Sequence, residues 1–267
     1  MRLIIKDNYD ECSVWAANYV AYRINSFRPT AKKPFVLGLC TGSTPLGMYA
    51  ELIKMHQKGK LSFANVVTFN MDEYIGLGPN DEQSYHYFMY HNFFNHIDIP
   101  KGNVHLLNGL TKDYVKECSH YEDMIQSYGK IHLFIGGVGS DGHIAFNEPG
   151  SSLTSRTRVK TLTSETIDAN SRFFNNDRNK VPTSALTVGI GTITDADEVM
   201  ILATGDKKAR AIHHAVEGSI NHMWPISILQ MHQHSVIVCD EQATNELKSD
   251  TVRYFKDIES RLRPGLK

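Results

Sequence analysis

Three short segments of this sequence concentrate side chains that can move protons or hold an anion. The densest is Gly136-Gly137-Val138-Gly139-Ser140-Asp141-Gly142-His143-Ile144-Ala145-Phe146-Asn147-Glu148-Pro149. Its glycines let backbone approach a ligand closely, and Asp141, His143 and Glu148 follow within a few residues. A carboxylate beside an imidazole selects its tautomer and raises its basicity. A lone histidine is ordinarily structural, but this one follows a glycine-rich strand end and is flanked by acids, which points to acid/base work. The second segment is Phe69-Asn70-Met71-Asp72-Glu73-Tyr74. Adjacent carboxylates directly after an apolar run favour one group with a raised pKa, suited to taking a proton from carbon near neutral pH. In the alternative, Asp72 caps the next turn and Glu73 faces solvent. The third is Leu39-Cys40-Thr41-Gly42-Ser43-Thr44-Pro45. Thr44 is placed as an N-cap and Pro45 as the first helical residue, so free N–H groups would point at the loop as a phosphate cradle. An ordinary capped turn fits the same residues, and the lysine of a Walker A loop is absent. Arg172 and Lys208 are candidate cations. Arg156, Arg158 and Lys160 alternate, forming either a charged edge strand or a second anion site.

These loops need rigid elements to hold them. Short apolar runs at Phe35–Leu39, Val66–Phe69, Ile131–Ile135, Ala185–Ile190, Val199–Ala203 and Ser235–Cys239 read as strands buried on both faces. Helical faces appear at Leu46, Tyr49, Ile53 and His56, at Tyr114, Cys118, Tyr121, Ile125 and Tyr128, and at Val252, Phe255, Ile258 and Leu262. Strands alternating with helices imply one α/β domain over residues 1–267 with a mainly parallel sheet covered on both sides. In such sheets ligands bind beyond the carboxyl ends of the strands, where all three segments fall. The polar, weakly periodic stretch from Glu148 to Pro182 is expected to be a functional excursion.

Composition narrows the class. The chain has 267 residues, 41% of them hydrophobic, and a formal net charge of −1. That supports a sizeable core and lacks the basic excess of a generic nucleic-acid or membrane-surface binder. The N-terminus has no signal-peptide core, and no apolar run reaches the length of a membrane span. Cys12, Cys40, Cys118 and Cys239 form no CxxC pair and fit reduced thiols. The histidine spacings do not form a metal-ligand pattern.

Thr41–Pro45, Phe69–Tyr74 and Gly139–Pro149, joined by Ser151–Thr163, Ala169–Phe174 and Asn221-His222-Met223-Trp224, together resemble the glucosamine-6-phosphate deaminase family over nearly the whole chain. The resemblance implies a modified Rossmann-like α/β fold and a cytoplasmic homo-oligomer, commonly a hexamer. It implies conversion of glucosamine 6-phosphate and water to fructose 6-phosphate and ammonium without metal or organic cofactor. By the same resemblance Asp72 is the base at C2. Asp141, His143 and Glu148 serve ring opening, with His143 held by both acids. Thr41, Gly42, Ser43, Thr44, Arg172 and Lys208 would hold the 6-phosphate, and residues 162–182 form a lid. Ser151, Ser152, Arg158, Lys160, Thr161 and Tyr254 would bind N-acetylglucosamine 6-phosphate as an allosteric activator. Cys40 departs from the family's usual proline and is expected to be a small buried hydrophobe; Pro225 replaces a usual small hydroxyl residue.

Two rivals differ in kind. A 6-phosphogluconolactonase shares a Gly-x-Asp-Gly-His segment, but an ester hydrolase has no need of a carbon base at Asp72. A non-catalytic sugar-phosphate sensor would have no reason to keep Asp72, Asp141, His143 and Glu148 together.

Overall fold

The computed structural model describes residues 1–261; Leu262 and the end of the 1–267 span lie outside the described residues. In chain order the elements are β1 (Arg2–Lys6), α1 (Tyr9–Phe27), β2 (Phe35–Leu39), α2 (Leu46–Gln57), β3 (Val66–Asn70), β4 (Asp72–Tyr74), α3 (Tyr85–Asn92), β5 (Val104–His105), α4 (Tyr114–Ser127) and β6 (Leu133–Gly137). There follow β7 (Arg158–Thr161), α5 (Ser164–Asn170), β8 (Ser184–Thr187), α6 (Ile190–Thr194), β9 (Val199–Ala203), α7 (Ala209–Val216), β10 (Ser235–Asp240) and α8 (Ser249–Arg261).

Seven strands form a wholly parallel sheet in the order β1-β10-β9-β6-β2-β3-β5. From β2 the chain moves outward to β3 and β5, then returns to the other side of β2 to lay down β6. The order reverses between β2 and β6, and at such a switch point the connecting loops diverge and leave a crevice at the carboxyl ends. Burial on both faces explains the unbroken apolar strands. In β2 even Gly38 is dictated by packing, because a Cβ there would stand 2.4 Å from the Phe134 ring of β6.

The sequence expectations hold for five of the six strand runs. The sixth differs: β8 covers only Ser184–Thr187 and pairs antiparallel with β4 and β7 in a separate three-stranded sheet, while Ile190 opens α6. Three-residue β4, two-residue β5 and the half-exposed β1 are too short or too charged to stand out in sequence. The face of α2 centres on Met48, Tyr49 and Leu52; of the expected set Tyr49 is buried, while Leu46, Ile53 and His56 are half-buried at its margin. Thr44 does not cap it: Pro45 occupies the N-cap position with helical dihedrals and no side-chain cap.

The polar excursion is more ordered than its periodicity implies. It holds β7 at the sheet edge, as one reading of Arg156, Arg158 and Lys160 anticipated, and α5, capped by Thr163. A small second core of Tyr74, Phe146, Leu162, Phe174, Val181 and Ala185 seats it on the body. Among the described residues, no helix is long and apolar enough to cross a membrane.

Candidate active site

The crevice at the switch point is a cavity of about 250 Å³ lined by all three segments. From β2 come Cys40 and Thr41–Thr44, from β4 Asp72, from the loop after β6 Asp141 and His143, from the excursion Arg172, and from the turn after β9 Lys208. Larger open grooves exist elsewhere, such as one of about 800 Å³ between α4 and β7. There, however, Glu122 and Asp195 are already satisfied by Arg156, whereas the smaller crevice gathers acids, an imidazole and cations that face an empty space.

The Thr41–Thr44 loop turns through Gly42 at φ +95°, a left-handed conformation that favours glycine. It is pinned from α1: the Tyr9 hydroxyl donates to the Ser43 carbonyl at 3.1 Å and accepts from the Gly47 N–H at 2.8 Å. Tyr9 thus takes the Gly47 amide from outside the helix, while the N-cap residue Pro45 supplies no side-chain cap to the other first-turn amides, which suits an incoming anion. Cys40 is buried at 4% exposure, with its thiol pushed up to about 12 by burial above all, and then by the nearby Asp72. It behaves as the small hydrophobe the sequence reading expected.

Asp72 and Glu73 point to opposite sides of β4, because successive strand residues alternate. Asp72 lines the cavity and is buried, and desolvation first, then the Glu73 charge, pushes its carboxyl up to about 8. Glu73 is not in solvent. Burial raises it to about 7, while three backbone N–H groups partly restrain it: Tyr74 and Tyr85 on Oε1 and His86 on Oε2, each at 2.9 Å. It therefore satisfies the orphan amides at the start of α3 and sets Tyr85 against the cavity.

Beyond β6, Asp141 Oδ1 stands 2.6 Å from His143 Nδ1. Burial raises Asp141, but the hydrogen bond and charge of His143 outweigh it and leave the carboxyl below its ordinary range. Gly139 makes the pair possible, since a Cβ there would stand 2.2 Å from the imidazole. Glu148 departs from expectation. It does not hold His143; its buried Oε1 accepts from the Thr163 N–H and hydroxyl at 3.0 Å and from the Thr166 hydroxyl at 2.6 Å. The carboxylate ties the Gly139–Pro149 segment to the first turn of α5, because the chain turns through Ala145, at φ +53°, and Phe146, a turn closed by Asn147, itself anchored to the Ile144 and Val188 carbonyls.

Lys208 ends a short 3₁₀ turn, Asp206–Lys208, introduced by Gly205 at φ +87°. Burial lowers its pKa, helped by the Arg172 charge and opposed by Asp141; a bound dianion would act in the same direction as Asp141. Asp240, buried at the end of β10, accepts the Gly205 N–H through both oxygens at 2.9 Å and so fixes this turn. Tyr9, Tyr85 and Asp240 were missed in the sequence. Asp240 alone had a usable signal, being an acid at the carboxyl end of a buried strand.

The expected effector residues are not gathered here. Ser151 is buried and Ser152 exposed in the loop before β7; Arg158, Lys160 and Thr161 belong to β7. Tyr254 lies 61% exposed on α8, which packs against β1 at the far edge of the seven-stranded sheet. Among the described residues no three or more His, Cys, Asp or Glu side chains cluster as a metal site requires.

Residues 8–238 match the family described as glucosamine-6-phosphate isomerases/6-phosphogluconolactonase. A glucosamine-6-phosphate deaminase of Treponema denticola is 64% identical over 259 residues, 97% of this chain and 96% of that one. One from Glaesserella parasuis is 63% identical over 262 residues, covering 98% and 99%. A solved structure described as a monomeric glucosamine-6-phosphate deaminase superposes with a TM-score of 0.87 at 40% identity, over 91% of this chain and 98% of that one. The 6-phosphogluconolactonase of Trypanosoma cruzi shares the fold, with a TM-score of 0.73 at 19% identity over 92% and 97%.

Proposed function

The chain belongs to the glucosamine-6-phosphate isomerase/6-phosphogluconolactonase family, and from that premise we propose that it converts glucosamine 6-phosphate and water to fructose 6-phosphate and ammonium. The observation that carries this reading is the buried Asp72 carboxyl, raised to about 8, facing the same small cavity as the His143–Asp141 pair and two cations. A lactone hydrolase needs no base at carbon; an aldose–ketose isomerisation does.

The 6-phosphate is held by the Thr41–Thr44 loop, Arg172 and Lys208. His143, oriented by Asp141, takes the proton of the anomeric hydroxyl and returns one to the ring oxygen, which opens the sugar. Asp72, ionised beside the substrate's own ammonium group, removes the proton from C2 while that ammonium yields a proton to the C1 carbonyl oxygen, leaving an enolamine. A proton delivered to C1 shifts the double bond and leaves an imine at C2. Water adds there and ammonium departs, so no lysine adduct is required. Each acid/base step of this kind contributes about 10²–10⁴-fold. The segment 162–182 acts as the lid that carries Arg172 over the site.

The reading extends to activation by N-acetylglucosamine 6-phosphate at Ser151, Ser152, Arg158, Lys160, Thr161 and Tyr254. Glu148 supports it: this acid of the catalytic segment is bonded to Thr163, two residues beyond Thr161. An effector that moved β7 would pull on the catalytic segment through that carboxylate. The remote position of Tyr254 means that it would join the others only if a second copy supplied it, which favours a homo-oligomer. The hexameric assembly and cytoplasmic location implied by the resemblance belong to the same proposal, while one solved relative is described as monomeric.

The test is to incubate the purified protein with glucosamine 6-phosphate and measure fructose 6-phosphate and ammonium together, with and without N-acetylglucosamine 6-phosphate. Equal appearance of both products supports the deaminase, and a curve shifted to lower substrate supports the effector. Absence of both products, with hydrolysis of 6-phosphogluconolactone instead, would overturn it.

A further inference from the structure

The motif Asn221-His222-Met223-Trp224 is absent from the cavity lining, yet its geometry bears directly on His143. Asn221 to Ser227 form a tight turn. The Trp224 N–H donates to the Asn221 carbonyl at 2.9 Å and the Met223 N–H to Asn221 Oδ1 at 2.9 Å. The Ser227 hydroxyl accepts from the Asn221 N–H at 2.8 Å. This turn grips the catalytic segment at two points. The Ile226 N–H donates to the Gly142 carbonyl at 2.9 Å, and the His222 carbonyl accepts from the Gly150 N–H at 2.9 Å.

Gly142 lies between Asp141 and His143 at φ +81°, and a Cβ on it would stand 2.7 Å from Cε3 of Trp224. The indole therefore fills the space beside residue 142. It is backed by the His214 ring of α7, stacked at 3.8 Å between centroids and 15° between planes. The other bonds of the loop are internal: Gly139 N–H to the His143 carbonyl at 2.9 Å and Gly142 N–H to the Gly139 carbonyl at 3.1 Å. Among the described residues, Ile226 is the one hydrogen-bond donor from outside that reaches residues 139–143. The direction in which Gly142 presents its neighbours is thus decided by the 221–227 turn.

We propose that Trp224, backed by His214, is a positioning residue that aims the His143–Asp141 pair at the sugar ring. The proposal rests on the deaminase reading for its kinetic consequence. Displacing a catalytic group by about 1 Å costs up to about 10²-fold in rate, whereas Thr41–Thr44, Arg172 and Lys208 hang on other loops and keep their geometry.

The experiment compares wild type, Trp224→Ala and Trp224→Phe. It measures kcat and KM for glucosamine 6-phosphate, Kd for inorganic phosphate, and the titration of His143 by NMR with isotopically labelled histidine. Trp224→Ala is expected to lower kcat about 10- to 100-fold, leave KM and phosphate Kd within about twofold, and displace the His143 titration curve; Trp224→Phe recovers most of the rate. Unchanged kcat and an unchanged His143 curve in folded Trp224→Ala would overturn the proposal, as would a parallel loss of phosphate binding. If Trp224→Ala does not fold, Trp224→Leu replaces it with the same expectations. A wild type that yields no fructose 6-phosphate defeats the deaminase reading, while the His143 titrations still decide the positioning role.

Discussion

Replacing Asp72 by asparagine should abolish turnover and, at alkaline pH, make the protein more stable. In the folded chain the carboxyl is raised from an ordinary 3.8 to about 8 by burial and by Glu73. A group whose folded pKa lies above its unfolded value keeps its proton longer in the folded state. Its contribution is therefore fully present below 3.8 and lost as pH rises towards 8. At about 1.36 kcal/mol per pKa unit, the penalty relative to fully protonated Asp72 is under about 2 kcal/mol at pH 5 and about 5 kcal/mol at pH 8. Asparagine has nearly the same shape and no charge to bury, and other titrating groups largely cancel when the two proteins are compared. Urea unfolding of both at pH 5 and pH 8 should show the advantage of Asp72→Asn growing by about 3 kcal/mol over that interval. The same carboxyl should make wild-type kcat/KM rise with pH towards about 8, as the free enzyme's base ionises. A stability gap that does not change with pH, or near-wild-type turnover in the variant, would refute the assignment of Asp72 as a buried base.

Three further outcomes follow from named contacts. Tyr9→Phe removes the hydroxyl that bridges Ser43 and Gly47, so KM should rise by a few fold, on the order of 1 kcal/mol, with kcat preserved in steady-state assays. Lys160→Ala should weaken activation by N-acetylglucosamine 6-phosphate while sparing maximal velocity; an unaltered activation curve would remove Lys160 from the effector site. Cys40, with its buried thiol raised to about 12, should resist iodoacetamide at pH 8 in the native protein and react once the chain is unfolded, as mass spectrometry of the labelled peptide would show. Rapid native labelling at Cys40 would contradict its burial.

The readable part of this protein is what local pattern can carry. Strands buried on both faces must be apolar throughout, so β2, β3, β6, β9 and β10 announce themselves. Loops that approach a ligand closely favour glycine, so the glycine-rich run beyond β6, and more weakly Gly42 beyond β2, do as well. Asp72, His143, Arg172 and Lys208 were legible as chemistry because they sit at such ends or in a polar excursion. Their convergence on one cavity was implied by the rule that ligands gather where strand order reverses. The partners of those residues were not legible. Glu148 looks like a neighbour of His143 when only sequence distance is counted, but a turn at Ala145 and Phe146 directs it to Thr163 and Thr166. Glu73 looks like a solvent charge, and it is α3 folding back over β4 that supplies the amides that bury it. Tyr9, Asp240 and Trp224 reach the site across 34 or more residues of chain. Such contacts leave no local period or composition behind, because they follow from which strands the sheet places side by side. The sequence by itself determined the chemistry available and the ends at which it stands; the tertiary structure decided which groups face one another, and with that their charge.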